Sequence, residues 1–360
     1  MKILPNLNPL RFLLACLVII FHVPQLSKNQ GLPYFDAAPI FHKGVEAVYM
    51  FFVLSGFLII RLIYISKMKG SFSIKNFYFR RILRIFPLYY LIVIFGFFFY
   101  NVLLPFLNIP YPINYDFKTG LLMTVFFIPN IFIQYSPGGI LEVLWSIGIE
   151  EQFYIIIAPL LFFIRKNYIF KSLLIISCCY FLIFHLDMFY LLKKYKFVYF
   201  YMLSGGLIAI LEEKNKLVLL KNNKYFSISI VLCTILYFTT NVFDFESLFV
   251  SNLITCLLFS LFIYTISFAN HNFEIKNKLL NYLGKISYGI YMYHVIALNI
   301  VVFIFLRFDI TNIPSTVTVL LINLITIILT LIISHFSYQY FEKYFLNLKE
   351  KYREKIVENN

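Results

Sequence analysis

The stretch LRFLLACLVIIFH, residues 10–22, places an arginine and a histidine in one apolar run. Arg11 and His22 are about three helical turns apart, roughly 16 Å, so they share nearly one face at two depths. Ionisable side chains inside a membrane helix are costly and are kept for function. This pair suits an anion clamp at one depth and a proton-transfer base at another. The remaining sequence decides whether the run is a membrane span.

It is one of many. The chain has 360 residues, 61% hydrophobic and 13% charged, with a mean hydropathy of +0.81. A soluble protein of this length could not bury that much apolar surface. The sequence predicts an all-α polytopic membrane helix bundle of about ten transmembrane helices, near 10–26, 45–65, 85–104, 144–164, 169–187, 197–211, 225–242, 248–268, 286–306 and 316–334. Lys2 before the first run looks like a signal-peptide start. No small-residue cleavage site follows, and the run holds Arg11 and His22, so it reads as a retained helix.

The formal net charge of +14 does not point to nucleic acid, because the cations cluster in short loops between apolar runs. With both termini in the cytoplasm, the cytoplasmic side carries 23 of the 31 Lys/Arg and the outer loops seven. KKYK at 193–196 is the one awkward outer loop. Residues 118–135, KTGLLMTVFFIPNIFIQY, form a further apolar stretch. Crossing there would flip every later loop, and Pro129-Asn130 interrupts it, so it reads as a re-entrant or surface helix. The transmembrane domain is assigned to 1–345, and 346–360 to a basic/acidic cytoplasmic tail. The absence of an internal repeat removes the usual support for an inverted-repeat transporter. All five cysteines lie in apolar runs without CxxC or zinc spacing, so neither a metal nor a bound cofactor is predicted.

Four further motifs carry candidate chemistry. FRRILRIFPLYY contains Arg80, Arg81 and Arg84, and residues 61–84 hold seven basic side chains and no acid. Arg81 and Arg84 share a helix face, and guanidiniums grip phosphate with two hydrogen bonds, as for a nucleotide-phosphate donor such as coenzyme A. Lipid contact or topology setting explains a basic loop as well, though less readily arginines at the start of an apolar run, and the two readings weigh evenly. LWSIGIEEQFY, 144–154, joins the only tryptophan, Trp145, to Glu150 and Glu151. Adjacent helix positions point about 100° apart, so one carboxylate faces the core, and Glu150 is favoured. MFFVLSGFLII contributes the small pair Ser55-Gly56, which also suits close helix packing. GKISYGIYMYHV, 284–295, brings Ser287, Tyr288, Tyr291 and His294, with His294 a second polar wall for a cavity.

In this order, LRFLLACLVIIFH, FFVLSGFLI, RRILRIFPLYY, LWSIGIEEQFY, SYGIYMYH and YQYFEKYF resemble the membrane acyltransferase-3 family from residue 10 to residue 345. The resemblance implies a ten-helix enzyme of the bacterial inner membrane. It would move an acyl group, usually acetyl, from cytosolic acyl-CoA to a hydroxyl of a surface glycan or lipid-linked sugar. At matching positions it implies Arg11 and His22 in the active site, Arg81 and Arg84 toward the donor, and Glu150 as the acid of that site. Arg80 joins the donor side, and Ser55, Trp145, Glu151, Tyr288 and His294 the substrate cavity. Three positions depart from the family pattern. Asn8-Pro9-Leu10-Arg11 stands where Asp-Gly-Leu-Arg is frequent, Tyr49 where the second helix often has an acid, and Tyr344 where a proline is common. The chain is too short for the soluble hydrolase-like domain that some members fuse. His22 is expected as general base, with Glu150 orienting it, or as carrier of the acyl group. The rival reading is a transporter or flippase of a lipid-linked sugar or anion.

Overall fold

Polar caps decide where several helices begin. Ser73, Asp116, Asn223, Ser247 and Asn277 each accept the backbone N–H three residues on, satisfying a donor that the first turn leaves open. The computed structural model describes residues 4–270, 274–308 and 313–352. These form α1 (Leu7–Asn29), α2 (Gly44–Met68), α3 (Ile74–Phe98), α4 (Phe117–Val125), α5 (Trp145–Phe163), α6 (Ile169–His185) and α7 (Tyr199–Glu213). There follow α8 (Lys224–Thr239), α9 (Leu248–Phe268), α10 (Lys278–Lys285), α11 (Ser287–Arg307), α12 (Ser315–Ser337) and α13 (Lys343–Lys349), with shorter turns between. No strand occurs among the described residues.

Each predicted apolar run is helical, and among the described residues eight helices are long and apolar enough to cross a membrane. The other two predicted spans are α7 and α8, of 15 and 16 residues. At about 1.5 Å per residue they fall short of a hydrocarbon core of about 30 Å. α7 lies against protein, so its length need not match the lipid. Its Gly205 backs onto Val53, and Gly56 of α2 backs onto Met202. A side-chain carbon at either glycine would strike the partner's carbonyl, so the two backbones touch. This is the close packing that the Ser55-Gly56 pair suggested.

The stretch 118–135 does not form a span. α4 has nine residues, and Pro129–Phe132 is a separate four-residue turn. Buried Asn130 donates to the Tyr195 carbonyl at 2.9 Å and accepts from Gln152 Nε2 at 2.8 Å, which fixes the broken segment to α5 and to the loop before α7.

α3 starts eleven residues ahead of the predicted span, at Ile74 rather than 85, because Ser73 caps it and Lys and Arg are good helix formers. Arg80, Arg81 and Arg84 therefore sit within the helix and not before it. At the other end of the chain, α12 runs into a π-helical turn, Tyr338–Glu342, and then α13. α13 packs along α3, so the described part of the predicted tail is docked on the bundle. Residues 353–360 of that tail lie outside the described residues.

Polar contacts divide the bundle into two ends. At one, Arg61 pairs with Glu213 at 2.6 Å, Lys67 donates to the Phe162 carbonyl at 2.6 Å, and Gly284 abuts the Asn8 backbone. At the other, Lys43 pairs with Asp244, and Gly44 abuts Phe21.

Candidate active site

A cavity of about 350 Å3 opens between α1, α2, α3, α5 and α11. Its polar wall comprises Arg11, Arg81 and Arg84, then Ser55, Glu150 and Tyr154, and finally Ser146, Ser287, Tyr288 and Tyr291. Phe51, Phe52, Leu58 and Leu62 are among its apolar lining. The helix period explains the polar grouping. Arg81 and Arg84 are three apart on α3, and Glu150 and Tyr154 four apart on α5, so each pair points one way.

The Glu150 carboxylate accepts the hydroxyls of Ser55 and Tyr154, whose oxygens stand 3.2 Å apart. The Arg81 guanidinium lies 5.6 Å from the Tyr154 ring centre and 5.8 Å from that of Phe77. Its Nε is buried without a hydrogen-bond partner. Arg84 is exposed at the cavity mouth, and Arg11 Nη1 donates to Asn8 Oδ1 at 3.2 Å. Among the described residues, none of the three arginines forms an ion pair within 4.0 Å. The Tyr288 hydroxyl is committed to the Ile85 carbonyl at 2.9 Å. Tyr291 donates to the Val143 carbonyl at 3.0 Å and lies 2.7 Å from Ser146 Oγ.

His22 does not line this cavity. It is half-buried, with its ring centre 5.2 Å from that of His294 and 4.9 Å from Phe21. His294 is fully buried; its Nδ1 meets the Tyr291 carbonyl, and its Nε2 has no partner. The Tyr291 ring, 5.6 Å from His294, separates the histidine pair from the arginine cavity. His294 thus lies behind the cavity wall rather than in it.

Three further expectations differ from the geometry. Glu150 faces the cavity, but its hydrogen bonds go to Ser55 and Tyr154, not to His22. Glu151 is buried on another side of α5, with its Oε1 unpartnered, because adjacent helix positions diverge by about 100°. Trp145 is also outside the cavity lining. It packs edge-on to Phe52, with their centres 5.8 Å apart, and Lys196 stands 4.5 Å from its ring. That contact accounts for one of the awkward outer cations, and Lys193 pairs with Asp187 at 3.1 Å. Burial lowers the Lys196 ammonium pKa, with Glu142 opposing. Arg80 is half-buried on α3 outside the cavity lining.

Sequence reasoning passed over Tyr154, although its spacing four residues after Glu150 was a readable signal, and over Ser146, which has no such signal. Among the described residues, no cluster of His, Cys, Asp and Glu is arranged to hold a metal ion.

The family model described as an acyltransferase domain matches residues 4–335, and the chain belongs to that family. An uncharacterized protein of Haemophilus influenzae is 29% identical over 131 residues, covering 33% of this chain and 50% of its own length. The peptidoglycan O-acetyltransferase OatA of Listeria monocytogenes is 28% identical over 169 residues, 43% of this chain and 24% of that protein. A Staphylococcus aureus protein (strain COL) named "Putative O-acetyltransferase" is 27% identical over 383 aligned positions, 95% of this chain and 57% of its own. The chain therefore spans about half or less of the length of these curated relatives. No solved structure matches.

Proposed function

We propose that this integral membrane acyltransferase moves an acyl group, acetyl foremost, from acyl-CoA to a hydroxyl of a surface glycan or lipid-linked sugar. One observation carries the reading: Arg11, Arg81 and Arg84 meet in a single cavity inside an apolar bundle, with no ion-pair partner among the described residues. Such a concentration of guanidinium groups is stabilised by an anionic ligand, and phosphate fits the fork. The relatives named as O-acetyltransferases support an oxygen acceptor and an acetyl donor.

In this reading acyl-CoA enters from the cytoplasmic end, where the arginine end of the bundle is placed, and both chain termini lie on that side. The bilayer is the bacterial inner membrane. Arg81 and Arg84 hold the phosphates, with Arg80 beside them. The flexible pantetheine arm then extends along α1 toward His22, roughly 16 Å from Arg11 along the helix, with the Tyr291 ring swinging out of its path. The acceptor hydroxyl oxygen attacks the thioester carbonyl carbon, and His22 takes the hydroxyl proton. The carbon–sulfur bond breaks, the ester forms, and the departing thiolate of coenzyme A receives the proton from the imidazolium. Arg11 stabilises negative charge developing at the cavity side. Glu150, held by Ser55 and Tyr154, offsets part of the arginine charge and eases the mutual repulsion in the cavity.

The test is turnover by the purified chain in lipid nanodiscs with acetyl-CoA and surface glycan extracts. Release of free thiol together with a new acetyl ester, located by mass spectrometry and NMR, supports the reading. Absence of both coenzyme A binding and thioester loss, with every extract, would overturn it.

A further inference from the structure

Four cationic side chains gather along α3, two of them lining the cavity, and one arrives from the far end of the sequence. α3 carries Arg80, Arg81 and Arg84. α13 lies along α3 and ends at Lys349. The next turn secures that placement, because the Tyr352 ring stacks on Phe79 with centres 4.9 Å apart and planes 6° from parallel. Lys349 is half-buried, and Arg84, Arg81 and Arg80 are all within its Coulombic reach. Among the described residues, none of the four forms an ion pair. Glu151, Glu342 and Glu350 lie within reach of one or another of them. With Arg11, which Glu150 also reaches, the cations number five against four carboxylates, and the cluster keeps an excess of positive charge partly out of water. That is unfavourable until a counter-charge arrives.

We infer that Lys349 is a further phosphate-binding residue of the donor site, supplied by a segment beyond residues 4–335, where the acyltransferase domain matches. The inference rests on the acyl-CoA reading. Coenzyme A carries a pyrophosphate and a ribose 3′-phosphate, so its charge is spread over more than one phosphate group. Arg81 and Arg84 offer planar forks, whereas Lys349 offers a compact charge on a flexible stem that can follow a second phosphate. An anionic lipid headgroup presents the same chemistry, and the test separates the two.

Calorimetry of coenzyme A binding to the full chain in neutral phosphatidylcholine nanodiscs is the experiment. Lys349→Ala should weaken binding about tenfold, the worth of one charge-assisted hydrogen bond. Lys349→Arg should keep most of the affinity. Lys343→Ala, an exposed site on the same helix, should bind normally. All three variants should melt with the wild type. If the lysine holds the 3′-phosphate, the Lys349→Ala loss should vanish for the ligand lacking that phosphate; if it holds the pyrophosphate, the loss should persist there and for inorganic pyrophosphate. Unchanged coenzyme A affinity in Lys349→Ala overturns the inference and leaves the acyl-CoA reading standing. So does a variant that loses only co-purified phosphatidylglycerol, which would assign Lys349 to lipid. Wild-type protein that does not bind coenzyme A overturns both.

Discussion

Arg11 Nη1 donates to Asn8 Oδ1 at 3.2 Å, one turn back along α1. Asn8 stands where the family's opening motif often has aspartate, and it still accepts from the arginine without cancelling its charge. The Arg11 guanidinium therefore keeps its full charge for a ligand. Asn8→Asp should pair with Arg11 and compete with incoming phosphate, weakening coenzyme A binding severalfold. Asn8→Ala should leave that affinity within about twofold, since a single neutral hydrogen bond is worth about 1 kcal/mol or less here. Calorimetry on the two variants checks both directions.

His22→Ala should lower acyl transfer by about 10²–10⁴-fold, the usual contribution of a positioned base. Because His22 lies outside the arginine cavity, coenzyme A affinity and melting temperature should hold. Full turnover at normal expression would remove the base role.

Arg81 and Arg84 should separate in their side effects. Either change to alanine should weaken coenzyme A binding more than acceptor binding. Arg84 is exposed, so Arg84→Ala should keep wild-type stability. Arg81 lies near the rings of Phe77 and Tyr154, so Arg81→Ala should also lower the melting temperature. Lysine at either position should restore binding only in part, because a point charge loses the fork. Binding isotherms and thermal melts on the same preparations read out both effects.

Gly56→Val should destabilise the bundle by about 1–3 kcal/mol, the range for overpacking a filled core. A side chain there meets the Met202 carbonyl and pushes α2 off α7. Ser55 moves with it, so activity should fall along with the melting temperature, and Ser55→Ala should lower activity alone. A Gly56→Val protein with wild-type stability would show that α2 and α7 are not in backbone contact.

Single-cysteine labelling in intact cells tests the sidedness. Lys67 and the α10 end cluster at one end of the bundle, and Asp244 lies at the other. Probes at Lys69 and Lys278 should be shielded from an impermeant reagent, and a probe at Asp244 should react. Labelling that puts Lys69 and Lys278 on opposite sides would overturn the arrangement.

The helical runs were readable because length and hydropathy are local properties. The failure of 118–135 to cross was readable too, from Pro129 and the charge balance. The start of α3 was hidden because charged residues obscure a helix in a hydropathy trace, although Ser73 marked the cap. Arg11, Ser55, Arg81, Arg84, Glu150 and Tyr288 share one cavity, and helical spacing anticipated the pairing on α3 and the divergence of Glu151 from Glu150. The set-back of His22 was not legible. Periodicity gives its face and depth on α1, but Tyr291 and His294, which fill the space beside it, come from a helix about 270 residues later. The docking of α13 on α3 is likewise a long-range contact that no local pattern announces.

The π-helical turn Tyr338–Glu342 takes up one residue more than an α turn would, and α13 leaves it in the register that docks on α3. Each residue of an α-helix advances the side-chain direction by about 100°. Deleting one residue of α13, between that turn and Lys349, would swing the lysine about 100° around the axis, away from α3. Donor affinity in this protein would then be set by register, much as a combination lock is set by counting clicks. A single-codon deletion far from the cavity could retune it while every cavity side chain stayed the same.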